Sequence, residues 1–180
     1  MPTFNILLRL FCFYVYLCTI EYKDKGMERI RMAEWADCPV VYSLICEMEE
    51  RRLSFADFQK IYNAQIENEM YACLVYERQD KVIGCINLRM ENQLHHAGKI
   101  CEIMELSVGK EYQNQKIGQR LFFEACHIAQ SAGCLQIEVC CNQLRQRTHH
   151  FYEKQGMHNF HYKFSLDFSV KGNYENRLGR

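Results

Sequence analysis

The sequence predicts a mixed α/β domain, and three observations lead to this class. The chain has 180 residues and is 48% hydrophobic, which is enough apolar surface for one sizeable core. Apolar residues recur at helical spacing in some segments and alternate with polar residues in others. Short polar turns separate the segments, with no internal repeat or low-complexity linker. The predicted order is β-α-α-β-β-β-α-β-α-β, which indicates one domain built on a mixed sheet.

In the first half of the chain, local signals mark two helices and a hairpin. Asp37 with Pro39 indicates the start of the first helix, and Ser54 followed by Asp57 indicates the start of the second. A polar turn at 78–81 joins two apolar strands into a hairpin. The predicted elements are a strand at 28–33, helices at 40–52 and 54–66, and strands at 70–76 and 82–90.

In the second half, strands and helices alternate. Gly118 is predicted to open a long helix, and Gly133 to end it as the residue after the C-cap. The run 135–141 is almost wholly apolar, which is typical of a strand in the centre of a sheet. The remaining predicted elements are a strand at 100–108, a helix at 144–155 closed by Gly156, and a last strand of alternating aromatic residues at 159–168.

Composition excludes several classes of protein. Lys+Arg and Asp+Glu both number 22, so no basic field indicates a nucleic-acid partner. The 11 cysteines are scattered, odd in number and mostly within apolar runs, which favours buried reduced thiols in a cytoplasmic protein over a disulfide framework.

The N-terminal segment 4–20 is apolar but contains Arg9, and three interpretations remain open. It is a dispensable extension preceding a start at Met27, a membrane anchor, or a signal peptide, for which the charge pattern is poor. We expect an extension at 1–26, the main domain at 27–170 and a tail at 171–180. A location in the cytoplasm is expected, with membrane attachment if the apolar segment is part of the natural protein.

The stretch 101–123 combines a strand, a polar loop and a helix N-terminus. Backbone N–H groups at a helix N-terminus lack intrahelical partners, so this junction suits the phosphates of a cofactor. Glu105 and Ser107 lie just upstream on the strand. The stretch therefore predicts a phosphate-bearing cofactor beside a polar reaction centre.

Two segments together resemble the GNAT superfamily of acetyl-CoA-dependent N-acetyltransferases. The loop 113–118 is similar to the pyrophosphate loop of that family, except that Lys116 stands where glycine is preferred. The segment 149–157 is similar to the family's Phe-Tyr-x-x-x-Gly-Phe ending. The resemblance covers roughly 29–168. It implies a central, mostly antiparallel sheet of six to seven strands flanked by about four helices, with acetyl-CoA as co-substrate.

Within the superfamily, the sequence most resembles the aminoalkylphosphonate N-acetyltransferases. The resemblance lies in the segments 93–96, 102–108, 149–152 and 160–164. It implies direct attack on acetyl-CoA by the primary amine of a small anionic molecule. Other acceptors (an aminoglycoside, a polyamine or a protein N-terminus) remain open, as does a non-catalytic acyl-CoA-binding module. Dimers are common in such folds, and the last strand would offer an edge for one.

Acetyl transfer requires a neutral amine, a polarised thioester carbonyl and a proton for the leaving thiolate. An alkylammonium is protonated at neutral pH, so a carboxylate is needed to remove a proton, and Glu105 is the candidate base. Alternation along a strand places Ile103, Glu105 and Ser107 on one face, unless a bulge near Leu106 and Ser107 changes the pattern. Ser107 is a second catalytic candidate.

The family resemblance also implies the remaining roles. Tyr152 would donate the proton to the CoA thiolate, and main-chain groups of 106–108 would bind the pantetheine arm. The candidate cofactor-binding residues are Leu106, Ser107, Val108, Gln113, Asn114, Gln115, Lys116, Ile117, Gly118, Gln119, Asn142 and Tyr152.

Ordinary structural explanations stay open for these residues. Glu105 could be a structural hydrogen-bond acceptor, Tyr152 a core tyrosine, and Asn142 a turn residue. His95 and His96, beside Glu102 or Glu105, are candidate ligands of a divalent metal that the resemblance implies, and contact with substrate or solvent is the alternative. The basic residues that could neutralise an anionic substrate are Arg89, Arg145, Arg147 and Lys163.

Overall fold

The computed structural model of the protein describes residues 28–168, which fall into two compact units. The first unit is Met1–Val139, described from residue 28, and the second is Cys140–Arg180, described to residue 168. The predictions made for 1–26 and for 171–180 lie outside the described residues. Between residues 28 and 168, no helix combines the length and apolar character needed to cross a bilayer.

The first unit is built on a mixed sheet. Its strands follow one another in space as they do in the sequence, antiparallel from the first to the fourth, and the fourth pairs in parallel with the fifth. The parallel pair requires a crossover, and a helix supplies it. The strands are β1 (Glu28–Met32), β2 (Tyr71–Arg78), β3 (Lys81–Gln93), β4 (Gly98–Val108) and β5 (Gln136–Val139).

The described residues contain four α-helices, three in the first unit and one in the second. The mixed α/β class is thus confirmed. The helices are α1 (Cys38–Met48), α2 (Phe55–Ile66), α3 (Ile117–Ser131) and α4 (Gln146–Lys154), with 3-10 turns at Trp35–Asp37 and Lys110–Tyr112.

The predicted count of six to seven strands was wrong for the described residues, which form five. Segment 159–168 has neither strand nor helix, although its aromatic residues alternate. Phe160, Tyr162 and Phe164 are exposed. Alternating aromatic residues are typical of a strand, but a strand is stabilised only when it pairs with a neighbouring strand. In the described chain, this segment has no such neighbour.

The position of β5 also differs from the prediction. It has four residues rather than the seven of 135–141, and it forms one edge of the described sheet instead of its centre. Leu135, predicted to be buried within it, is exposed.

Local signals placed the other elements well. α1 begins one residue after Asp37, but the Asp37 carboxylate accepts hydrogen bonds from Arg31 (2.6 and 2.9 Å) rather than capping the helix with its side chain. Ser54 caps α2 by accepting from the Asp57 N–H. α3 begins at Ile117, one residue before the predicted start, and ends before Gly133, whose φ of 76° is the left-handed conformation expected there.

The β2–β3 hairpin has the tight turn that the sequence predicted. Gln79 and Asp80 both have positive φ, at 52° and 59°. Positive φ at both central residues defines a type I′ turn, whose twist matches that of the flanking strands. The turn fixes the start of the β2–β3 register.

The two faces of the sheet pack against different helices. α1 and α2 cover one face, where Leu44 and Tyr62 join a buried cluster with Cys73, Val75 and Cys85 of the strands. α3 packs on the other face. Because Gly84 has no side chain, Ile117 and Leu121 of α3 approach β3 closely there.

Gly84→Val should destabilise the fold by about 1–3 kcal/mol, because overpacking strains a close helix–sheet contact. A Cβ at Gly84 would lie 3.2 Å from the Ser107 carbonyl oxygen, 3.3 Å from Leu121 Cδ1 and 3.4 Å from Ile117 Cγ2. Urea unfolding measures the loss. Asn92→Val, at an exposed position of the same strand, is the matched control, and an equal effect of both substitutions would contradict the packing argument.

Candidate active site

A β-bulge at Met104 determines which side chains of β4 share a face. Asn87 pairs with Glu105 and Leu88 pairs with Ile103, so Met104 is the extra residue. Glu105 and Ser107 share a face, as predicted. Ile103 does not share it, so the predicted triple alternation was wrong, and the irregularity lies two to three residues before Leu106 and Ser107, where the resemblance implied it.

Glu105 lies half-buried on the face that α1 and α2 cover. Asn87 donates from Nδ2 both to Glu105 Oε2 (2.9 Å) and to Gln65 Oε1 of α2 (2.9 Å). Burial raises the pKa of the Glu105 carboxyl, the hydrogen bond from Asn87 lowers it, and the carboxylates of Glu49 and Glu102 raise it further. The net effect is a pKa above the usual value of a glutamate, which brings this carboxyl closer to the working range of a general base at neutral pH.

Ser107 has a structural partner. Its hydroxyl is buried and donates to the Leu44 carbonyl of α1 at 2.9 Å. This bond ties the end of β4 to α1 beside Glu105. The catalytic role assigned to Ser107 stays a prediction, and the contact favours positioning of the strand.

The main chain of β4 extends beyond its pairing with β5. The parallel ladder ends at Ile103↔Val139, and β5 ends there, whereas β4 runs on to Val108. The Gly109 N–H donates to the Ile83 carbonyl of β3 at 2.9 Å. Because main-chain N–H and C=O groups point to opposite sides at successive residues of a strand, those of Leu106 and Val108 point away from β3. The N–H groups of both residues and the Leu106 C=O thus point to the side beyond the end of β5, which suits an extended ligand such as a pantetheine arm, while the Val108 C=O accepts from Gln113.

The loop before α3 has the conformation of a glycine-containing loop although it carries lysine. Lys116 is the N-cap of α3 with φ 63° and ψ 9°, and Asn114 also has φ 63°. The first intrahelical bond runs from the Arg120 N–H to the Lys116 carbonyl, and the Lys116 side chain makes no cap bond. The unpaired N–H groups of the first helical turn therefore lie directly after the loop, which is the arrangement that binds phosphate at helix N-termini. The left-handed conformation of a residue other than glycine costs about 1–2 kcal/mol.

Neighbouring residues hold this loop. Arg78 donates to Gln115 Oε1 at 2.6 Å and lies over the ring of Tyr112, while Gln113 donates to the Val108 carbonyl at 3.2 Å. Glu28 pairs with Arg78 at 2.6 Å. The loop is thus fixed to β2 and to the end of β4 before any ligand binds.

Lys116→Gly is expected to weaken CoA binding about 2- to 10-fold, since the backbone already has the required conformation and the substitution removes only a cation. Its effect on the free energy of unfolding should stay within about 1 kcal/mol, because relief of the left-handed strain is offset by the entropy of glycine. Calorimetric titration with CoA at two salt concentrations measures this. Lys116→Asn, which tolerates the same φ without a charge, should weaken binding equally. Tighter binding to the glycine variant would contradict the role of the charge.

In the second unit, Tyr152 lies on α4 and Asn142 precedes that helix. Tyr152 is buried, packs edge-to-face on Phe151 with ring centroids 5.1 Å apart, and burial raises the pKa of its phenol. The Asn142 side chain accepts from the Leu144 N–H, and its carbonyl contacts His149 Nε2, both at 2.9 Å. Asn142 therefore shapes the turn into α4, and its contact with CoA stays a prediction.

The histidines suggested as metal ligands have other contacts. His96 Nε2 lies 3.6 Å from Glu138 Oε1, and the rings of His95 and His96 are 4.1 Å apart. Within 28–168, no three His, Cys, Asp or Glu side chains are grouped so that they could hold a metal ion. The described residues therefore do not fit a resident metal ion.

Asn87 is a residue of this site that was not predicted from the sequence. Asn87 joins β3 to Glu105 and to α2, and the available signal was a polar side chain inside the apolar run 82–90. Only the cross-strand register pairs it with Glu105, and that register is a long-range property.

Solved structures with the same fold support the architecture. A transcriptional regulator from Bacillus halodurans matches with a TM-score of 0.73 at 17% identity, covering 78% of this chain and 99% of its own. Glucosamine-6-phosphate N-acetyltransferase from Arabidopsis thaliana matches with a TM-score of 0.68 at 19% identity, covering 79% and 99%. At these identities the likeness establishes the fold alone.

Sequence comparison identifies the family. The profile described as "Acetyltransferase (GNAT) family" matches residues 27–157. A curated aminoalkylphosphonate N-acetyltransferase from Salmonella typhimurium is 34% identical over 136 residues, which cover 76% of this chain and 88% of that protein. The chain belongs to the GNAT family of acetyltransferases and is an acyltransferase of the N-acetyltransferase type. Both the family and the particular resemblance predicted from the sequence are confirmed.

Proposed function

We propose that this protein transfers the acetyl group of acetyl-CoA to the primary amine of a small anionic molecule, with an aminoalkylphosphonate as the preferred acceptor. The observation that carries the proposal is the half-buried Glu105 carboxyl of raised pKa. It lies one residue before Leu106, and the N–H groups of Leu106 and Val108 point away from β3, beyond the point where the pairing of β4 with β5 ends. The candidate base Glu105 is thus adjacent, in sequence and in space, to main-chain groups that suit the binding of an extended thioester.

In the proposed reaction, the Glu105 carboxylate takes a proton from the bound ammonium, directly or through water. The amine lone pair then attacks the thioester carbonyl, and the C–S bond breaks after a tetrahedral intermediate forms. The N–H groups of Leu106 and Val108 are proposed to stabilise the oxyanion of that intermediate. Tyr152, kept protonated by burial, is proposed to donate a proton to the leaving CoA thiolate, and the second proton, lost from the amide nitrogen as the intermediate collapses, reprotonates Tyr152 through water.

Direct attack is favoured over an acetyl-cysteine intermediate. Cys73 and Cys85 share the face of Glu105, and both are buried. Burial, with the nearby Glu105 carboxylate, raises the pKa of Cys73 to about 12, and burial also raises that of Cys85. A protonated thiol is a poor nucleophile, so these cysteines do not suit acyl transfer.

The acceptor class is taken from the 34% identical relative, whose name gives aminoalkylphosphonate as its substrate. Arg89 lies two residues from Asn87 on the same face of β3 and supplies a cation for an anionic group. A short zwitterion therefore suits the neighbourhood of Glu105.

The test is to incubate the purified chain with acetyl-CoA and a panel of amines, with and without EDTA. The panel contains 2-aminoethylphosphonate, an aminoglycoside, a polyamine and a peptide with a free N-terminus. Mass spectrometry of the N-acetyl product avoids interference from the nine free cysteines of the described residues. Acetylation of 2-aminoethylphosphonate above all others is the expected result. Preference for another amine would overturn the acceptor, and CoA binding without turnover would favour a non-catalytic module.

A further inference from the structure

We propose that Asn87 and Arg89 form a two-point binding site for a short zwitterion, in which Asn87 binds the reacting amine and Arg89 binds the anionic group. The proposal rests on the proposed function, since it concerns the acceptor of the same reaction. It adds a specificity-determining pair of residues and limits the distance between the two charges of the substrate.

The two residues are neighbours along one face of β3. Asn87 pairs with Glu105, and Arg89 pairs with Glu102, so they occupy successive positions on the face that carries Glu105. Residues two apart on a strand are separated by about 7 Å. A ligand that reaches both must hold its amine and its anion within about that distance, a limit that an extended linker of two or three carbon atoms meets.

Asn87 provides an unused acceptor beside the candidate base. Its Nδ2 donates to Gln65 and to Glu105, and because a carboxylate only accepts, this fixes the amide orientation. The Oδ1 atom is buried and has no donor among the described residues. Buried polar atoms nearly always have a partner, so an orphaned acceptor next to Glu105 indicates a ligand donor. A primary amine supplies N–H groups for both Oδ1 and the carboxylate.

Arg89 provides the complementary donor at the next position. One of its terminal nitrogens donates to Glu102 Oε2 at 2.6 Å. Its Nε is buried without a hydrogen bond to any described residue and lies 3.5 Å from Glu91 Oε2, a charge contact only. The side chain as a whole is 33% exposed, so an anion can reach the guanidinium.

The charges around the pair limit what can bind. Glu102 and Glu91 flank Arg89, and Glu105 lies one position away, so a negative group placed elsewhere on this face meets carboxylates. An anion at Arg89 shares the guanidinium with Glu102 and Glu91, and an ammonium at Asn87 is balanced by Glu105. This arrangement of one cation among carboxylates favours a short zwitterion over an amine whose anion is distant and over an amine that has no anion.

The experiment compares 2-aminoethylphosphonate, 5-aminopentylphosphonate and 2-aminoethanol as acceptors for wild type, Arg89→Gln and Arg89→Lys. Wild type should prefer the short zwitterion over each of the others. Arg89→Gln should lose about 10- to 100-fold in kcat/KM for the short zwitterion, mainly through KM, and change less than about twofold for 2-aminoethanol. Arg89→Lys should recover part of the loss. Arg52→Gln, at an exposed position in the loop between α1 and α2, is the matched control.

Three outcomes would overturn the pair. They are equal losses on amines with and without an anionic group, no preference for the short linker in wild type, and no recovery by lysine. If Arg89→Gln fails to fold, the comparison of 2-aminoethylphosphonate with 5-aminopentylphosphonate in wild type still tests the proposal, because equal rates would contradict it. Absence of acetylation of every amine by wild type that binds acetyl-CoA would instead reject the proposed function, so the two failures are distinguishable.

Discussion

Glu105→Gln is expected to lower kcat/KM for amine acetylation by about 10²- to 10⁴-fold, which is the usual contribution of a general base. The glutamine keeps the shape of the side chain and still accepts the hydrogen bond from Asn87 Nδ2, so the site should remain assembled. Steady-state kinetics with saturating acetyl-CoA measure the loss. Glu67→Gln, at an exposed position after α2, is the control and should retain wild-type activity.

The same substitution should not reduce stability at neutral pH. The pKa of Glu105 is raised, so the folded protein binds this proton more tightly than the unfolded chain does. The stabilisation from the protonated carboxyl is present at low pH and is lost as the pH rises through the folded pKa. The free energy of unfolding of Glu105→Gln should therefore equal or exceed that of wild type at about pH 7, with the difference disappearing below about pH 4.

These two measurements separate a base from a structural acceptor. A catalytic carboxylate predicts lost turnover without lost stability, together with loss of the acidic limb of the pH–rate profile. If Glu105 only holds β4 in place, Glu105→Gln will unfold more easily at neutral pH and keep most of its activity.

Tyr152→Phe is expected to lower kcat about 10²- to 10³-fold, because the thiolate then leaves without a positioned proton donor. Phenylalanine fills nearly the same volume and preserves the edge-to-face contact with Phe151, so CoA affinity should change less than about twofold. Single-turnover kinetics report the chemical step, and titration with CoA reports binding. Tyr162→Phe, at an exposed tyrosine, is the matched control.

Because Tyr152 is buried, the kinetics of Tyr152→Phe distinguish a general acid from a core residue. The raised pKa keeps the phenol protonated at neutral pH, which is the state that a general acid needs. Unchanged turnover in Tyr152→Phe would remove this role and leave Tyr152 as a core residue of the second unit. A loss of CoA affinity with normal kcat would instead assign the hydroxyl to cofactor binding.

The element types could be predicted from the sequence because their signals are local. Asp37 before Pro39, Ser54 with Asp57, and Gly133 after α3 each act within one helical turn, and all mark boundaries within about one residue. The failure at 159–168 shows the limit of such signals. Its alternation of aromatic residues is local, but strand formation depends on a partner elsewhere in the chain.

The family, the strand that carries Glu105 and the position of the loop before α3 follow from the sequence. Tertiary structure decided how those parts are used. Cross-strand pairing placed the bulge at Met104, turned Ile103 away from Glu105, and set Asn87 and Arg89 along one face. Hydrogen bonds of Gln115 to β2 and of Gln113 to the end of β4 flank Lys116, which has a left-handed conformation that glycine adopts more easily. Local motifs depend on neighbours within a few residues, whereas register and strain depend on contacts between distant segments, which no short stretch of sequence records.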